Sequence, residues 1–247
     1  MQYVNEEVRE KIEHTFSDYY LYETHMHTST GSACGSNTGA EMARAYKEAG
    51  YAGIIVTDHF FYGNTAIDRS LPWTEWAKQY VQGFYDAKEE GDKIGLSVFF
   101  GWESCYDGME FLIYGLSPEW LIDHPEIRDC SIPDQYRIVS EEGGLVIQAH
   151  PFREADYIHN IIQYPDHVDG FEVLNISNGY KSGYGANSCP WDDAALAMAK
   201  EHNLLMTAGS DQHSTSLLGC GMAFRRPLTD VHDFISAVRD REGILMY

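Results

Sequence analysis

The sequence predicts an α/β domain built on a mostly parallel sheet, which is either closed into a barrel or left open. Three observations predict it: short apolar segments alternate with amphipathic ones, several apolar segments end in polar residues, and no linker-like stretch divides the 247 residues. Apolar runs of this kind are typical of strands buried on both faces of a parallel sheet, and helices form the crossovers between such strands. We expect one domain over residues 1–247, because a chain of this length fits a single large domain.

Seven segments are predicted to form strands because they are rich in Ile, Val, Leu or aromatic residues. In chain order they cover residues 19–28, 53–58, 96–103, 110–116, 145–150, 170–175 and 204–211. Most of them are apolar along their whole length, so we expect them to be buried and to run parallel to one another.

Capping signals predict helices between many of these strands. Thr38 and Glu41 have capping-box spacing, and the helix that they open ends at Gly50. Ser117 is followed by Pro118, which places a cap before a proline at the first helical position. Further helices are predicted at residues 73–90, 134–142 and 190–202, and a last one is capped at residues 229–230 and reaches about residue 239.

Composition and charge limit the classes of function. The formal net charge is −21, which argues against a sequence-independent nucleic-acid binder, since such a protein needs a basic surface. The five cysteines are scattered without a Cys-x-x-Cys pair, and the charged first residues lack the apolar core of a signal peptide. No apolar run approaches the roughly 20 residues of a membrane helix. We therefore expect a cytoplasmic protein with free thiols and no membrane partner, and the oligomeric state is left open.

Polar residues recur where the predicted strands end. They are His25, His27, Asp58, His59, Glu103, His150, Asp211 and His213. Side chains two apart on a strand share a face, so His25 pairs with His27, and Asp211 pairs with His213. Because ligands gather at the carboxyl ends of parallel strands in barrels and open sheets alike, we expect these side chains to converge there. Imidazoles and carboxylates at one place are the ligands of a hydrolytic metal centre.

The ordered set of motifs resembles the PHP (polymerase and histidinol phosphatase) family, and the likeness runs from about residue 19 to residue 226. The motifs are Glu23-Thr24-His25-Met26-His27-Thr28, the segment 48–59 that ends in Thr57-Asp58-His59, the strand-end Glu103, His150-Pro151-Phe152 and Gly209-Ser210-Asp211-Gln212-His213. The resemblance implies a distorted seven-stranded (β/α) barrel, similar to a TIM barrel. It also implies two or three divalent metal ions, and Zn²⁺, Mn²⁺ and Fe²⁺ all suit nitrogen and oxygen ligands.

Carried over motif by motif, the resemblance implies a ligand set for each ion. One ion would be held by His25, His27, Glu103 and Asp211, a second by Glu103 as a bridge together with His150, and a third by His59 and His213. Asp58 would orient an imidazole without binding metal itself.

The chain departs from the family pattern at two places. Family members with three ions usually supply a further His or acid shortly after the first His pair, where this chain offers only Cys34 as a strong ligand. Many members also carry a His on the strand after the bridging Glu. Here that strand begins with Glu110, so the second ion either lacks this ligand or uses Glu110.

The resemblance implies phosphoester hydrolysis, and we expect a phosphomonoesterase acting on a small phosphorylated metabolite, with histidinol phosphate among the possibilities. Metal-bound hydroxide would attack phosphorus in line, with Glu103 between two ions. A metal-bound water, His213 or Asp211 would protonate the leaving group. Arginine suits bidentate phosphate contacts, and the candidates are Arg153, Arg225 and Arg226. Glu172 and Asn175 are expected to line the pocket, and Lys181 lies in a Gly-rich loop predicted at residues 178–187.

Three other functions are left open. A nuclease or phosphodiesterase acting on nucleic acid or nucleotide ends would use the same chemistry, although the acidic balance counts against it. Amidohydrolase-type cleavage of C–N bonds usually needs a lysine at a strand end, and none of the predicted strands ends in one. A metal-binding module without catalysis is the third alternative, and the presence of Glu103 and Asp211 argues against it.

Overall fold

The computed structural model describes residues 10, 12, 14–182, 189–216 and 218–246. Within these residues the strands form a single nine-stranded sheet. They are β1 (Tyr20–Met26), β2 (Gly53–Val56), β3 (Ser97–Tyr106), β4 (Met109–Tyr114), β5 (Leu145–Gln148), β6 (Gly170–Asn175), β7 (Leu205–Gly209), β8 (Gly221–Phe224) and β9 (Ile244–Met246). The first seven correspond to the seven predicted strands, whereas β8 and β9 are short segments that the sequence analysis missed.

The helices lie between the strands in the predicted alternation. They are α1 (Gly39–Glu48), α2 (Trp73–Tyr80), α3 (Gln82–Ile94), α4 (Pro118–Asp123), α5 (Ile132–Glu141), α6 (Ile176–Ser182), α7 (Pro190–Glu201) and α8 (Val231–Arg239), with a 3₁₀ turn at Pro125–Arg128. The Thr38 capping box and the Ser117 cap are present as predicted. No helix in the described ranges has both the length and the apolar character needed to cross a bilayer.

The sheet curls until β7 meets β1, which confirms the predicted barrel. The sheet order is β7-β6-β5-β4-β3-β2-β1-β8-β9, and Met26 forms a parallel bridge with Gln212 just beyond β7. The His27 amide donates to the Gln212 carbonyl and the Asp211 amide donates to the His25 carbonyl, both at 2.8 Å. The barrel is distorted because the first half of β1 pairs instead with the antiparallel strand β8.

One strand of the barrel runs against the others, which corrects the expectation of parallel neighbours. β4 is antiparallel to both β3 and β5, because Asp107 and Gly108 join β3 to β4 in a tight turn with positive φ at both residues. The Asp-Gly pair between two apolar runs is a hairpin signal that was present in the sequence. As a consequence, Glu110 at the start of β4 lies at the same barrel end as the carboxyl ends of the parallel strands.

Two helical predictions also need correction. The helix predicted at residues 73–90 is two helices that meet at Val81. Tyr80 at the end of α2 donates to the Asp58 carbonyl, and Gly83 in α3 lies so close to the loop after β1 that a Cβ there would be 2.3 Å from the Thr28 hydroxyl. Residues 178–182 of the predicted Gly-rich loop belong to α6. The rest of that loop and the N-terminal residues 1–9 lie outside the described residues.

The barrel interior is apolar below the polar end, which gives the polar side chains a closed floor. Ile55, Phe99, Leu112 and Ile147 point inward and are buried together, while alternate residues of the same strands pack under the helices. Tyr114 adds to the floor, and its hydroxyl donates to the Thr24 carbonyl at 2.9 Å. The strand ends are thereby held in fixed positions around the open end of the barrel.

Candidate metal centre

The structure brings the seven predicted metal ligands together at one end of the barrel. They are His25 and His27 at the end of β1, His59 after β2, Glu103 in β3, His150 after β5, and Asp211 and His213 after β7. Six of them are buried, and His213 is partly exposed at the mouth. Their convergence agrees with the expectation that ligands gather at the carboxyl ends of parallel strands.

Glu103 lies at the centre of this cluster. Its Oε1 atom is 3.0 Å from His25 Nε2 and 3.3 Å from His150 Nε2, and its Oε2 atom is 2.6 Å from His59 Nδ1. Burial alone would raise the pKa of Glu103, but the neighbouring His25 and His59 hold it well below its usual range. Glu103 is therefore ionised and can face two metal positions, as a bridging carboxylate does.

Asp211 occupies the opposite side of the cluster. Its Oδ1 atom is 3.2 Å from His27 Nε2, 3.7 Å from His25 Nε2 and 3.8 Å from His213 Nδ1. Burial raises the pKa of Asp211, but Lys181 and Arg153 outweigh this effect and hold it well below its usual range. An ionised Asp211 suits metal binding, and it is poorly suited to the proton-donor role considered above.

Four overlapping sets of side chains have ligand atoms within 4.8 Å of one another. They are His27, His59 and His213; His25, His27 and Glu103; His25, His150 and Asp211; and His59, Glu103 and Glu110. His25 Nε2, His27 Nε2, His59 Nδ1 and Glu103 Oε2 are buried and make no properly aligned hydrogen bond. Since buried polar atoms are normally satisfied, these converging atoms fit divalent ions, and their mixture of nitrogen and oxygen suits Zn²⁺, Mn²⁺ or Fe²⁺.

The charge states of two histidines also fit metal binding. Burial and the neighbouring His59 and His213 lower the pKa of His27 well below its usual range. Burial and Arg153 lower the pKa of His150 to about 4. Both imidazoles are therefore neutral near pH 7, and the neutral form is the one that binds metal.

Two candidate ligands have a positive φ, a backbone conformation that residues other than glycine rarely adopt. His150 has a φ of 31° and Asp211 a φ of 54°. Neighbouring backbone is also closely packed, because a Cβ at Gly209 would lie 2.5 Å from His25 Cβ. A positive φ at a residue other than glycine raises the conformational energy of the folded chain by about 1–3 kcal/mol, and such strained residues are concentrated at functional sites.

Glu172 orients His25, a role that the sequence analysis did not assign. One of its carboxylate oxygens is 2.9 Å from His25 Nδ1, and the other accepts from the His150 amide at 3.1 Å and from Asn175 Nδ2 at 2.8 Å. The signal that pointed to this role was an acid within the apolar strand β6. A carboxylate on the outer nitrogen of a ligating histidine fixes its tautomer and ring orientation.

Asp58 acts on the cluster through the loop that follows β1. It accepts from the Thr28 amide at 2.6 Å and from the Ser32 hydroxyl at 2.7 Å. The Ser32 hydroxyl in turn lies 3.2 Å from His27 Nδ1 and accepts from the His59 amide at 2.9 Å. Asp58 thus orients an imidazole indirectly, and the imidazole that Ser32 reaches is that of His27.

A cleft of about 690 Å³ opens beside the cluster. Among the described residues its lining includes Glu110, Arg153, Lys181, Asp211 and His213. Burial and the nearby Glu103 raise the pKa of Glu110 to about 8. Glu110 is 3.4 Å from His150 Nε2 and 3.6 Å from His59 Nδ1. It can therefore take the place of the histidine that many family members carry on this strand as a ligand of the second ion.

The three arginines predicted to contact phosphate have different surroundings. Arg153 is buried against the cluster, with Nη2 2.7 Å from Asp211 Oδ2 and Nε donating to Asn178 Oδ1 at 2.7 Å. Arg225 and Arg226 follow β8, whose end pairs with the start of β1 at the opposite end of the barrel. Arg225 lies over the Tyr19 ring at 4.4 Å, and Arg226 forms an ion pair with Asp233 at 2.7 Å. Their position corrects the prediction, and only Arg153 remains a candidate.

Lys181 and Cys34 also reach the cleft. Lys181 Nζ, on α6, is 3.4 Å from Asp211 Oδ2. Burial raises the pKa of Cys34, but hydrogen bonds with His213 and His59 outweigh it and bring the pKa to about 6. The Lys181 amine therefore adds a second cation beside Arg153, and the Cys34 thiol adds a sulfur beside two of the histidines.

Comparison with known proteins finds similar sequences and folds. Residues 191–242 match the family model PHP_C, described as PHP-associated. No curated protein matches the chain.

Among solved structures, a two-domain protein from Bacteroides vulgatus containing a predicted PHP-like metal-dependent phosphoesterase has 17% identity and a TM-score of 0.65 over 94% of this chain. The present chain spans 66% of that protein. PsfC from Pseudomonas syringae has 17% identity and a TM-score of 0.60, covering 88% of each chain. A candidate metal-dependent phosphoesterase from Bifidobacterium adolescentis has 16% identity and a TM-score of 0.54 over 79% of this chain and 88% of that one.

Proposed function

We propose that this chain is a PHP-type metal-dependent hydrolase that cleaves phosphomonoesters of small molecules, as the resemblance of its five motifs to the PHP family implies. The observation that carries the proposal is the convergence of seven candidate ligands, four of which (His25, His27, His59 and Glu103) have inward-facing atoms that are buried without an aligned hydrogen bond. The description of the Bacteroides vulgatus protein as containing a PHP-like metal-dependent phosphoesterase supports the same reaction class.

The division of labour follows from the positions of the side chains. Glu103 and Asp211 would bind divalent ions together with the surrounding histidines, while Glu172 and the Asp58–Ser32 pair keep His25 and His27 oriented. When bound, such ions polarise phosphoryl oxygens and lower the pKa of water, so that a nucleophile forms near neutral pH. The apolar floor below the cluster leaves the cleft as the route by which substrate and water arrive.

Phosphate recognition is assigned to Arg153 and Lys181. Both cations contact the same carboxylate oxygen of Asp211, so they lie side by side at the boundary between the cluster and the cleft. The guanidinium of Arg153 has five N–H donors, and its contacts with Asp211 and Asn178 use only some of them, which leaves donors for a phosphoryl oxygen. Asn178 holds the guanidinium from behind. Two adjacent cations match the double charge of a phosphomonoester at neutral pH.

A small substrate is favoured over a nucleic acid by the charge around the cleft. The described lining of the cleft contains one arginine and one lysine, Arg153 and Lys181, and three acids, Asp107, Glu110 and Asp211. A polynucleotide needs a basic track along several phosphates, and such a track is absent from this lining. The whole chain carries a formal charge of −21, which adds to the repulsion.

Hydrolysis of p-nitrophenyl phosphate by the purified full-length chain tests the proposal. We expect turnover that disappears with a chelator, returns with Zn²⁺ or Mn²⁺, and is abolished by Asp211→Ala. Lys181→Ala should raise KM about tenfold, because it removes one charge-assisted contact of about 1.5 kcal/mol. Arg226→Ala is the matched control, since it removes a cation at the other end of the barrel and should leave KM unchanged.

Two results would count against the proposal. A metal-loaded protein that hydrolyses no phosphomonoester would favour the non-catalytic metal-binding module. Faster cleavage of bis-p-nitrophenyl phosphate or of oligonucleotides than of the monoester would favour the nuclease alternative.

A further inference from the structure

The loop between β1 and α1 is fastened to both sides of the metal centre. The Ser32 hydroxyl accepts from the His59 amide at 2.9 Å, and the Ser36 amide donates to the His213 carbonyl at 2.7 Å. Between these two points, the Ala33 amide donates to the Asn64 carbonyl at 2.8 Å. The chain therefore has little freedom at residue 34, which is held between two candidate metal ligands from different strand ends.

The residue at this point is a free cysteine that faces the cleft. Cys34, His59 and His213 line the same cleft, and the two imidazoles lower the pKa of the Cys34 thiol. The same two histidines and His27 have ring nitrogens within 4.8 Å of one another. His27 Nε2 and His59 Nδ1 are buried without an aligned hydrogen bond. These two nitrogen atoms are therefore candidate metal ligands whether or not the cysteine contributes.

We propose that Cys34 binds a metal ion as a thiolate next to His59 and His213, and that this sulfur makes one position of the centre selective for a soft divalent cation. The inference rests on the proposed metal-dependent function. On binding, the thiol releases its proton to solvent and a sulfur–metal bond replaces a bond from the metal to water, with no change of oxidation state. The ligand set of one sulfur and at least two imidazoles is typical of Zn²⁺.

The proposal distinguishes this position from the rest of the centre. The remaining candidate ligands are imidazoles and carboxylates, which also bind harder ions such as Mn²⁺ and Fe²⁺. A thiolate binds Zn²⁺, Co²⁺ and Cd²⁺ in preference to harder ions such as Mg²⁺ and Mn²⁺. We therefore expect the centre to hold a soft ion at the Cys34 side even when Mn²⁺ occupies the positions around Glu103.

Cys105 provides a matched comparison. It also lines the cleft, but it pairs in register with Glu110 on β4. A thiolate there would face a carboxylate, and burial and Glu110 raise the pKa of Cys105 to about 12. Cys105 is therefore not expected to bind metal, and it serves as an internal control for Cys34.

The first experiment measures thiolate-to-metal charge transfer in the ultraviolet as the full-length chain is titrated with Cd²⁺ or Co²⁺. The wild-type protein and Cys105→Ser should both develop the band. Cys34→Ser should lose the band together with one equivalent of bound metal, while circular dichroism shows an unchanged fold. A band of normal intensity in Cys34→Ser, or no band in wild-type protein that has bound the metal, would overturn the proposal.

The second experiment follows alkylation of each cysteine by iodoacetamide with mass spectrometry. Zn²⁺ should slow modification of Cys34 at least tenfold and leave Cys105 unaffected, whereas Mn²⁺ should protect neither. Equal modification of Cys34 with and without Zn²⁺ would overturn the proposal. If phosphomonoester hydrolysis persists in that case, the proposed function stands and only the role of Cys34 is lost.

Discussion

At the scale of single residues, Glu172 decides which nitrogen of His25 faces the metal centre. Its carboxylate lies 2.9 Å from His25 Nδ1, so that nitrogen carries the proton and Nε2 is left facing Glu103. The second oxygen of Glu172 already accepts from the His150 amide and from Asn175. One buried carboxylate therefore fixes the positions of two candidate ligands that come from different strands.

Replacing Glu172 by glutamine should weaken metal binding by about 10–100-fold, the usual effect of losing such an orienting partner. A glutamine keeps the volume but has one acceptor oxygen, so either His25 or the pair of donors at His150 and Asn175 faces an amide nitrogen. Isothermal titration calorimetry with Zn²⁺ or Mn²⁺ measures the change.

Asp169→Asn is the control for that substitution. Asp169 is a half-buried carboxylate directly before β6, at the other end of the barrel, and it accepts from the Val146 amide at 2.9 Å. Asp169→Asn should leave metal affinity unchanged. Equal affinities for Glu172→Gln and wild-type protein would show that His25 is positioned by the rest of its surroundings.

At the scale of elements, the junction between β1 and β7 depends on one buried side chain. Glu23 Oε1 accepts from the amides of Thr24, His25 and Ser210 at 2.8–2.9 Å, and Oε2 accepts from the Tyr46 hydroxyl at 2.9 Å. The carboxylate takes the place of ladder hydrogen bonds where β1 changes partner from β8 to β7. It therefore closes the barrel directly beneath His25 and Asp211.

Glu23→Ala should lower the free energy of unfolding by about 3 kcal/mol or more, since it leaves three buried amides without an acceptor. For a chain of this length the melting temperature should fall by about 6–12 °C. Glu23→Gln keeps one acceptor oxygen for the amides and should cost about 1 kcal/mol. Thermal unfolding followed by circular dichroism distinguishes the two variants.

The control for this prediction is Glu119→Ala, on the protein surface. Glu119 also accepts from a tyrosine hydroxyl, that of Tyr85 at 2.7 Å. Because both groups are solvated there, stability should change by less than about 0.5 kcal/mol. If Glu23→Ala melts at the wild-type temperature, the junction between β1 and β7 does not depend on this carboxylate.

The same element scale explains which features the sequence could predict. Strand ends were predictable, because an apolar run followed by His, Asp or Glu shows where burial gives way to a polar cavity, as at His59 and Asp211. The direction of β4 was missed because its apolar composition is the same for either orientation, and only Asp107-Gly108 marked the hairpin. Arg225 was misplaced because β8, too short to be recognised, carries the chain back to the other end of the barrel.

At the scale of the whole molecule, the centre concentrates acidic groups that the neighbouring cations, Arg153 and Lys181, neutralise only in part. Four carboxyl groups are buried within one cluster: those of Glu103, Glu172 and Asp211, whose pKa values lie below their usual range, and that of Glu110, whose pKa burial and Glu103 raise to about 8. The whole chain has a formal charge of −21. Burying ionised groups is costly unless they are paired or bound to metal. Divalent ions would neutralise these acids in the folded state alone, because the unfolded chain does not bring the ligands together.

Metal removal should therefore lower thermal stability as well as activity. An ion present at about 100 times its dissociation constant stabilises the folded state by about 2.7 kcal/mol, which corresponds to about 5–10 °C in melting temperature for a chain of this length. A chelator should produce this fall in the wild-type protein, and Zn²⁺ should reverse it. In His27→Ala the chelator should have a smaller effect, because His27 belongs to two of the four ligand sets. An identical melting temperature with and without chelator, in protein shown by elemental analysis to have lost its metal, would mean that hydrogen bonds among the acids and histidines suffice to hold the cluster.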